Sequence, residues 1–118
     1  AARRFRLLPS GTSAPPEILA HVARMGVRRR DDGQLTLKFD RGTLSDAIPR
    51  DVRAELAAIR CPLLYVRGEK SALVPPKAYE EVRALAPQAE LAVVAGAYHH
   101  VMLDDPAGFA AAVLPSLA

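Results

Sequence analysis

Apolar positions change their spacing near residue 50, so the two halves of the chain are read separately. In the first half, Ser13-Ala14-Pro15-Pro16 opens a short helix, because prolines are tolerated in a first turn. Ile18, Leu19, Val22 and Met25 then share one face up to a stop at Gly26. Val27-Arg28-Arg29-Arg30 and Gln34-Leu35-Thr36-Leu37-Lys38-Phe39 flank Asp31-Asp32-Gly33, and the alternation of Leu35, Leu37 and Phe39 predicts a hairpin. Residues 40–50, with Gly42, Ser45, Asp46 and Pro49, read as a linker. A helix at about 51–59 follows, carrying Val52, Leu56 and Ile59.

The second half is more regular. Pro62 to Gly68 and Glu90 to Ala95 are short apolar runs, and between them Pro76 to Ala86 has helical spacing, with Tyr79, Val82 and Leu85 on its inner stripe and Pro87 closing it. A last helix starts at Asp105-Pro106, a cap followed by a first-turn proline, and directs Phe109, Val113, Leu114 and Leu117 inward. The result is a strand, helix, strand, helix unit of α/β class. Its strands are apolar on both faces, as expected of parallel strands covered by helices on both sides. Two parallel strands are too few for an independent sheet, and their outer edges leave backbone groups free to pair. The expectation is therefore a C-terminal part of a larger α/β domain, completed by its missing N-terminal half or by self-association through the sheet edge.

Composition narrows the partners. The 118 residues carry 16 basic and 13 acidic side chains, a net charge of +3. The densest basic run, Arg28-Arg29-Arg30, meets Asp31-Asp32 at once. No aromatic residue is interleaved with basic ones as a stacking platform, so no nucleic-acid partner is expected. No apolar run of about 18 residues exists for a membrane helix, and the first residues lack the apolar core of a signal peptide. The expected location is cytoplasmic. Cys61 is the single cysteine, which excludes an internal disulfide and a multi-cysteine zinc site; before Pro62 at the entrance of a strand, it reads as a structural thiol.

In an open parallel sheet, sites gather beyond the carboxyl ends of the strands. Two loops qualify, one over Glu69-Lys70-Ser71-Ala72-Leu73-Val74-Pro75 and one from Gly96 to Pro106. An acid and a histidine on neighbouring loops suit a hydrolase: a carboxylate fixes the imidazole tautomer while the other ring nitrogen takes a proton from a nucleophile. The stretch Cys61-Pro62-Leu63-Leu64-Tyr65-Val66-Arg67-Gly68-Glu69, a helix, and then Gly96-Ala97-Tyr98-His99-His100-Val101-Met102-Leu103-Asp104-Asp105-Pro106-Ala107-Gly108-Phe109 resembles the C-terminal end of the α/β-hydrolase fold. The match covers about 56–118. It implies that His99, seven positions before Pro106, is the catalytic histidine, with His100 where a bulky residue is usual. Residues 1–50 are similar to the lid segment that some of these hydrolases insert before the penultimate strand, and 51–118 then belong to the core. A lid of this kind shapes the entrance for a small-molecule substrate.

Two departures qualify the resemblance. The family's acid sits three residues after the glycine, where this chain has Ser71, and serine cannot replace a carboxylate as a charged orienter. Glu69 bends in, or the acid comes from an earlier strand outside this chain, or it is lost. No Gly-x-Ser-x-Gly elbow surrounds any of Ser10, Ser13, Ser45, Ser71 or Ser116, so the nucleophile lies outside this chain and its identity, serine or aspartate, stays open. The expected activity is hydrolysis of carboxylic esters or a related small apolar substrate. The alternative is a non-catalytic remnant that binds a partner through its open sheet edge, and a third reading is a split enzyme whose nucleophile comes on another chain.

Plainer roles stand beside these. Glu69 is also readable as a loop charge paired with Lys70 or Arg67, Ser71 as a turn residue, Asp105 as a helix cap, Asp104 as added charge near that helix, and His21 as a solvated side chain beside Arg24. His99, His100, Asp104 and Asp105 share one loop without a ligand from a second element, so neither a metal nor another cofactor is expected.

Overall fold

The computed structural model describes residues 5–40, 42–45 and 50–117, and these form two units: the described residues of 5–6 and 15–50, and those of 7–14 and 51–117.

In the first unit, α1 (Pro16–Met25) begins with proline at its first position, where the missing N–H costs no hydrogen bond, and ends as Gly26 donates its N–H to the Val22 carbonyl at 2.8 Å. Leu19, Ala20, Val22 and Ala23 make its covered side, whereas Ile18 and Met25, read onto the same face as Leu19 and Val22, are exposed. Antiparallel β1 (Val27–Arg29) and β2 (Leu35–Leu37) form the hairpin. Its turn uses Gly33 at φ 80°, a left-handed conformation that glycine adopts without a Cβ penalty. Arg30 lies 3.7 Å from Asp32, so the basic run meets its acidic neighbours as expected. The alternating Leu35, Leu37 and Phe39 are exposed. One helical turn, α2 (Gly42–Ser45), interrupts the expected linker; Asp46 and Pro49 lie outside the described residues.

Residues 7–14, which the sequence reading placed with the first segment, pack in the second unit because Thr12 and Ser13 bond the Asp104 carboxylate. There α3 (Arg53–Ala57) leads to β3 (Leu63–Gly68), α4 (Pro76–Leu85) and β4 (Ala89–Val94). The strands pair in parallel from Leu63 with Ala89 to Gly68 with Val94, which sets their carboxyl ends side by side. Successive strand residues face opposite sides. Tyr65 meets Tyr79 of α4 with ring centroids 6.0 Å apart, and Val66 packs with Phe109 on the cluster of Val94, Ala97 and Val101. The two helices therefore cover opposite faces of this strand pair. A one-turn helix, α5 (Val101–Asp104), precedes α6 (Pro106–Val113).

Two expectations change here. Leu114 and Leu117 are 63% and 74% exposed, not inward. Pro115 cannot donate within an α-helix, so the chain tightens into a 3-10 turn at Leu114–Leu117, and Leu117 borders an open hollow beside Phe109 and Val113. Cys61 is exposed at the amino end of β3, the end away from Gly68, and so is not a buried structural thiol. No helix among the described residues is long and apolar enough to cross a membrane.

Candidate active site

The site is built where β3 and β4 end. Gly68 closes β3 directly against the backbone that follows β4: a Cβ there would overlap the Tyr98 carbonyl oxygen and lie 2.6 Å from that of Ala97. With no side chain in the way, the two exits run together. Glu69 donates its N–H to the Val94 carbonyl at 3.0 Å and Lys70 donates to that of Ala97 at 2.9 Å, extending the parallel ladder into the loops.

Glu69, the candidate acid, directs Oε2 to the backbone N–H of Gly96 at 2.8 Å. Its expected loop partners act elsewhere: Arg67 donates to the Glu69 carbonyl at 2.8 Å, and Lys70 lies over the Tyr98 ring at 5.4 Å. The carboxylate thus caps the turn at Gly96, whose φ of 71° turns the chain out of β4.

The residue beside the imidazole is Ser71. Its Oγ lies 3.1 Å from Nδ1 of half-buried His99, and Ser71 is itself only 7% exposed. The turn role read from the sequence is present as well, since Ser71 donates its N–H to the Gly68 carbonyl at 3.1 Å and Val74 donates to Ser71 Oγ at 3.3 Å. His99 Nε2 has no hydrogen-bond partner among the described residues. His100 meets the His99 ring edge-on with centroids 5.5 Å apart, and its own Nε2 donates to the Pro9 carbonyl at 3.3 Å.

Asp104 does more than add charge near a helix. Its Oδ1 accepts from the Thr12 hydroxyl and, at 2.8 Å, from the Ser13 N–H; its Oδ2 accepts from the Tyr98 N–H at 2.9 Å. Partial burial opposes its ionisation, but the Thr12 hydroxyl and the backbone donors of Ser13 and Tyr98 outweigh that and hold its pKa below the usual aspartate value. Asp104 thereby ties the residue before His99 to Thr12 and Ser13, which lie more than ninety positions before Asp104 in sequence. Asp105 is the expected cap, accepting from the Gly108 N–H at 2.9 Å. No cluster of three His, Cys, Asp or Glu suited to a metal occurs among the described residues, and exposed His21 accepts from Arg24 at 3.3 Å.

The arrangement offers a half-buried imidazole with one nitrogen held and the other bare. Ser71 stands where the family's acid belongs, so its position was legible from the count after Gly68. Its contact with His99 was not, because the sequence gives no sign that a neutral hydroxyl would keep the carboxylate's place. Asp104's long-range bonds had no sequence signal.

No model of a known protein family matches the chain. Over 104 residues, 88% of its length, it is 34% identical to polyketide synthase ThaQ of Burkholderia thailandensis; over 63 residues, 53% of its length, it is 40% identical to the biotin biosynthesis bifunctional protein BioHC of Cellvibrio japonicus. It spans 5% and 12% of those proteins. Among solved structures it is similar to E-2-(acetamidomethylene)succinate hydrolase, with a TM-score of 0.75 and 26% identity, covering 89% of this chain and 40% of that one. A thioesterase domain from the curacin biosynthetic pathway follows with a TM-score of 0.66 at 21% identity, covering 86% and 37% of the two chains. A marine microorganism esterase matches with a TM-score of 0.61 at 20% identity, covering 82% and 38%. All three neighbours are α/β hydrolases, and the strand, helix and loop order described above is shared with them over 40% or less of their length. The chain is therefore a hydrolase-like C-terminal part of the α/β-hydrolase fold.

Proposed function

We propose that His99 is the general base of an ester hydrolase whose nucleophile lies outside these 118 residues. The observation that carries the reading is the half-buried imidazole at the carboxyl edge of two parallel strands, held at Nδ1 by Ser71 and without a partner at Nε2 among the described residues. In the reaction, Nε2 takes the proton of the nucleophile's hydroxyl as its oxygen bonds the acyl carbon. The imidazolium returns that proton to the leaving oxygen as the ester C–O bond breaks. A water molecule then gives a proton to Nε2 and its oxygen to the acyl carbon, and the proton goes back to the nucleophile as the acid leaves. With an aspartate nucleophile only the water step needs the base. Thioesters are the second substrate class, supported by the likeness to a thioesterase domain and to a polyketide synthase.

Within residues 1–50, the part outside the core unit, residues 15–50, serves in this reading as a lid, which the exposed stripe of Leu35, Leu37 and Phe39 supports, since an entrance for an apolar acyl group needs apolar surface. The rest of the fold covers the hollow of about 490 Å³ in which Leu64, Val66, Phe109 and Val113 meet the polar side chains of Gln88 and Glu90. The lack of a nucleophile elbow, with Ser71 in place of an acid, favours the non-catalytic alternative, in which a partner binds through the open sheet edge.

The test is hydrolysis of p-nitrophenyl esters and acyl thioesters by the full-length polypeptide and its His99→Ala variant. General base catalysis contributes about 100- to 10,000-fold, so the variant is expected to lose about that factor in kcat. Full turnover by His99→Ala overturns the assignment, and absence of turnover by the unmodified polypeptide on both substrate classes supports the non-catalytic alternative.

A further inference from the structure

We infer that Ser71 is the positioning residue of His99, a neutral hydroxyl acting where the fold otherwise places a carboxylate. The inference rests on His99 being the base and adds what holds it. Three observations converge. Ser71 Oγ is 3.1 Å from Nδ1, within hydrogen-bond range. Ser71 is 7% exposed, so water competes poorly for that bond. The Val74 N–H already donates to Oγ at 3.3 Å, and Ser71 is anchored through its own N–H to Gly68, so the hydroxyl oxygen is fixed in place.

The titratable and charged groups of the neighbouring segments are directed elsewhere. Glu69 is on the Gly96 N–H, Lys70 is over the Tyr98 ring, and Asp104 is on Thr12, Ser13 and Tyr98. His100 contacts the ring edge-on and donates to Pro9. Ser71 is thus the group at Nδ1 among the described residues.

A hydroxyl differs from a carboxylate in two ways. It can donate to a bare Nδ1 or accept from Nδ1–H, so it orients the ring without enforcing one tautomer. In the tautomer that lets Nε2 take a proton, Nδ1 already carries the ring hydrogen, so Oγ accepts from Nδ1–H both before and after the transfer. It also carries no charge, so it stabilises the imidazolium less than a carboxylate would. The site accordingly keeps the geometry of a triad and forgoes the charge.

The experiment measures kcat, KM and their pH profiles for the full-length polypeptide and its Ser71→Ala, Ser71→Thr and Ser71→Asp variants on p-nitrophenyl esters, alongside His99→Ala. Loss of one net hydrogen bond corresponds to about a five- to tenfold change, so Ser71→Ala is expected to lower kcat by that factor with KM little changed. Ser71→Thr, which keeps the hydroxyl, restores most of it. Ser71→Asp supplies a charge beside Nδ1 and moves the acid limb of the kcat/KM profile by about one pH unit. Unchanged kcat and unchanged profiles in Ser71→Ala and Ser71→Asp, with His99→Ala inactive, overturn the role of Ser71 alone. A fully active His99→Ala removes the base itself and the inference with it.

Discussion

A methyl group added at Gly68 would overlap the Tyr98 carbonyl oxygen and sit 2.6 Å from the Ala97 carbonyl oxygen and 2.8 Å from the Tyr98 carbonyl carbon. All three neighbours are backbone, so no side chain can swing aside, and the two strand exits must part. Parting them stretches the bonds from Glu69 to Val94 and from Lys70 to Ala97, which are 3.0 and 2.9 Å. Overpacking of this kind costs about 1–3 kcal/mol, and two backbone bonds add about 1 kcal/mol each. Gly68→Ala is therefore expected to destabilise the full-length polypeptide by about 3–5 kcal/mol, a large share of the roughly 5–15 kcal/mol that holds a folded domain. Urea denaturation reads this as a lower midpoint at constant slope. Because Ser71 follows Gly68 by three residues and His99 follows Tyr98 by one, the same parting moves the two ring partners, and misplacement by about 1 Å costs about 100-fold in turnover. A Gly68→Ala variant with the original midpoint and turnover would refute the close approach.

Two further predictions follow from the carboxylates beside the site. Asp104→Asn leaves one acceptor oxygen where two are used and turns an amide donor toward an N–H, so a loss of about 1–2 kcal/mol is expected by urea denaturation. Because the folded-state pKa of Asp104 is lowered, its contribution is complete above the unfolded aspartate value of about 3.9 and is lost as pH falls through the folded value. Stability measured from pH 6 downward should decline below about pH 4, and Asp104→Asn should flatten that decline. Asp105→Ala removes the acceptor of the Gly108 N–H and should cost about 1 kcal/mol, with Asp105→Ser recovering most of it in the same assay.

Much of this architecture could be read from local signals. Proline at the first turns of α1, α4 and α6, the Asp105 cap and the Asp31-Asp32-Gly33 turn are short-range effects, and the structure has each of them. The errors lie where an outcome depends on what covers a surface. Leu114 and Leu117 carry helical spacing, but Pro115 between them imposes a different turn. At the site, the family resemblance points to His99 by the count back from Pro106 and to the loop of Ser71 by the count after Gly68, and the structure brings these two side chains together. The anchoring of that loop was not legible: Asp104 reaches Thr12 and Ser13, and no local rule connects residues so far apart.

The source of the acid, which the sequence leaves between Glu69 and an upstream strand, reduces to competition for one nitrogen. Nδ1 takes part in one short, well-aligned bond, as donor or as acceptor, and Ser71 Oγ already lies at 3.1 Å from it. Glu69 would have to release the Gly96 N–H to reach it, freeing a backbone donor at the turn that precedes His99. A carboxylate arriving from outside the chain would have to displace Ser71, and the hydroxyl would fall back to its turn role with Val74. In either case Ser71→Ala would open the way for the acid and leave kcat unchanged or raised. A five- to tenfold fall, about the value of one net hydrogen bond, instead means that Ser71 holds that nitrogen while the reaction runs.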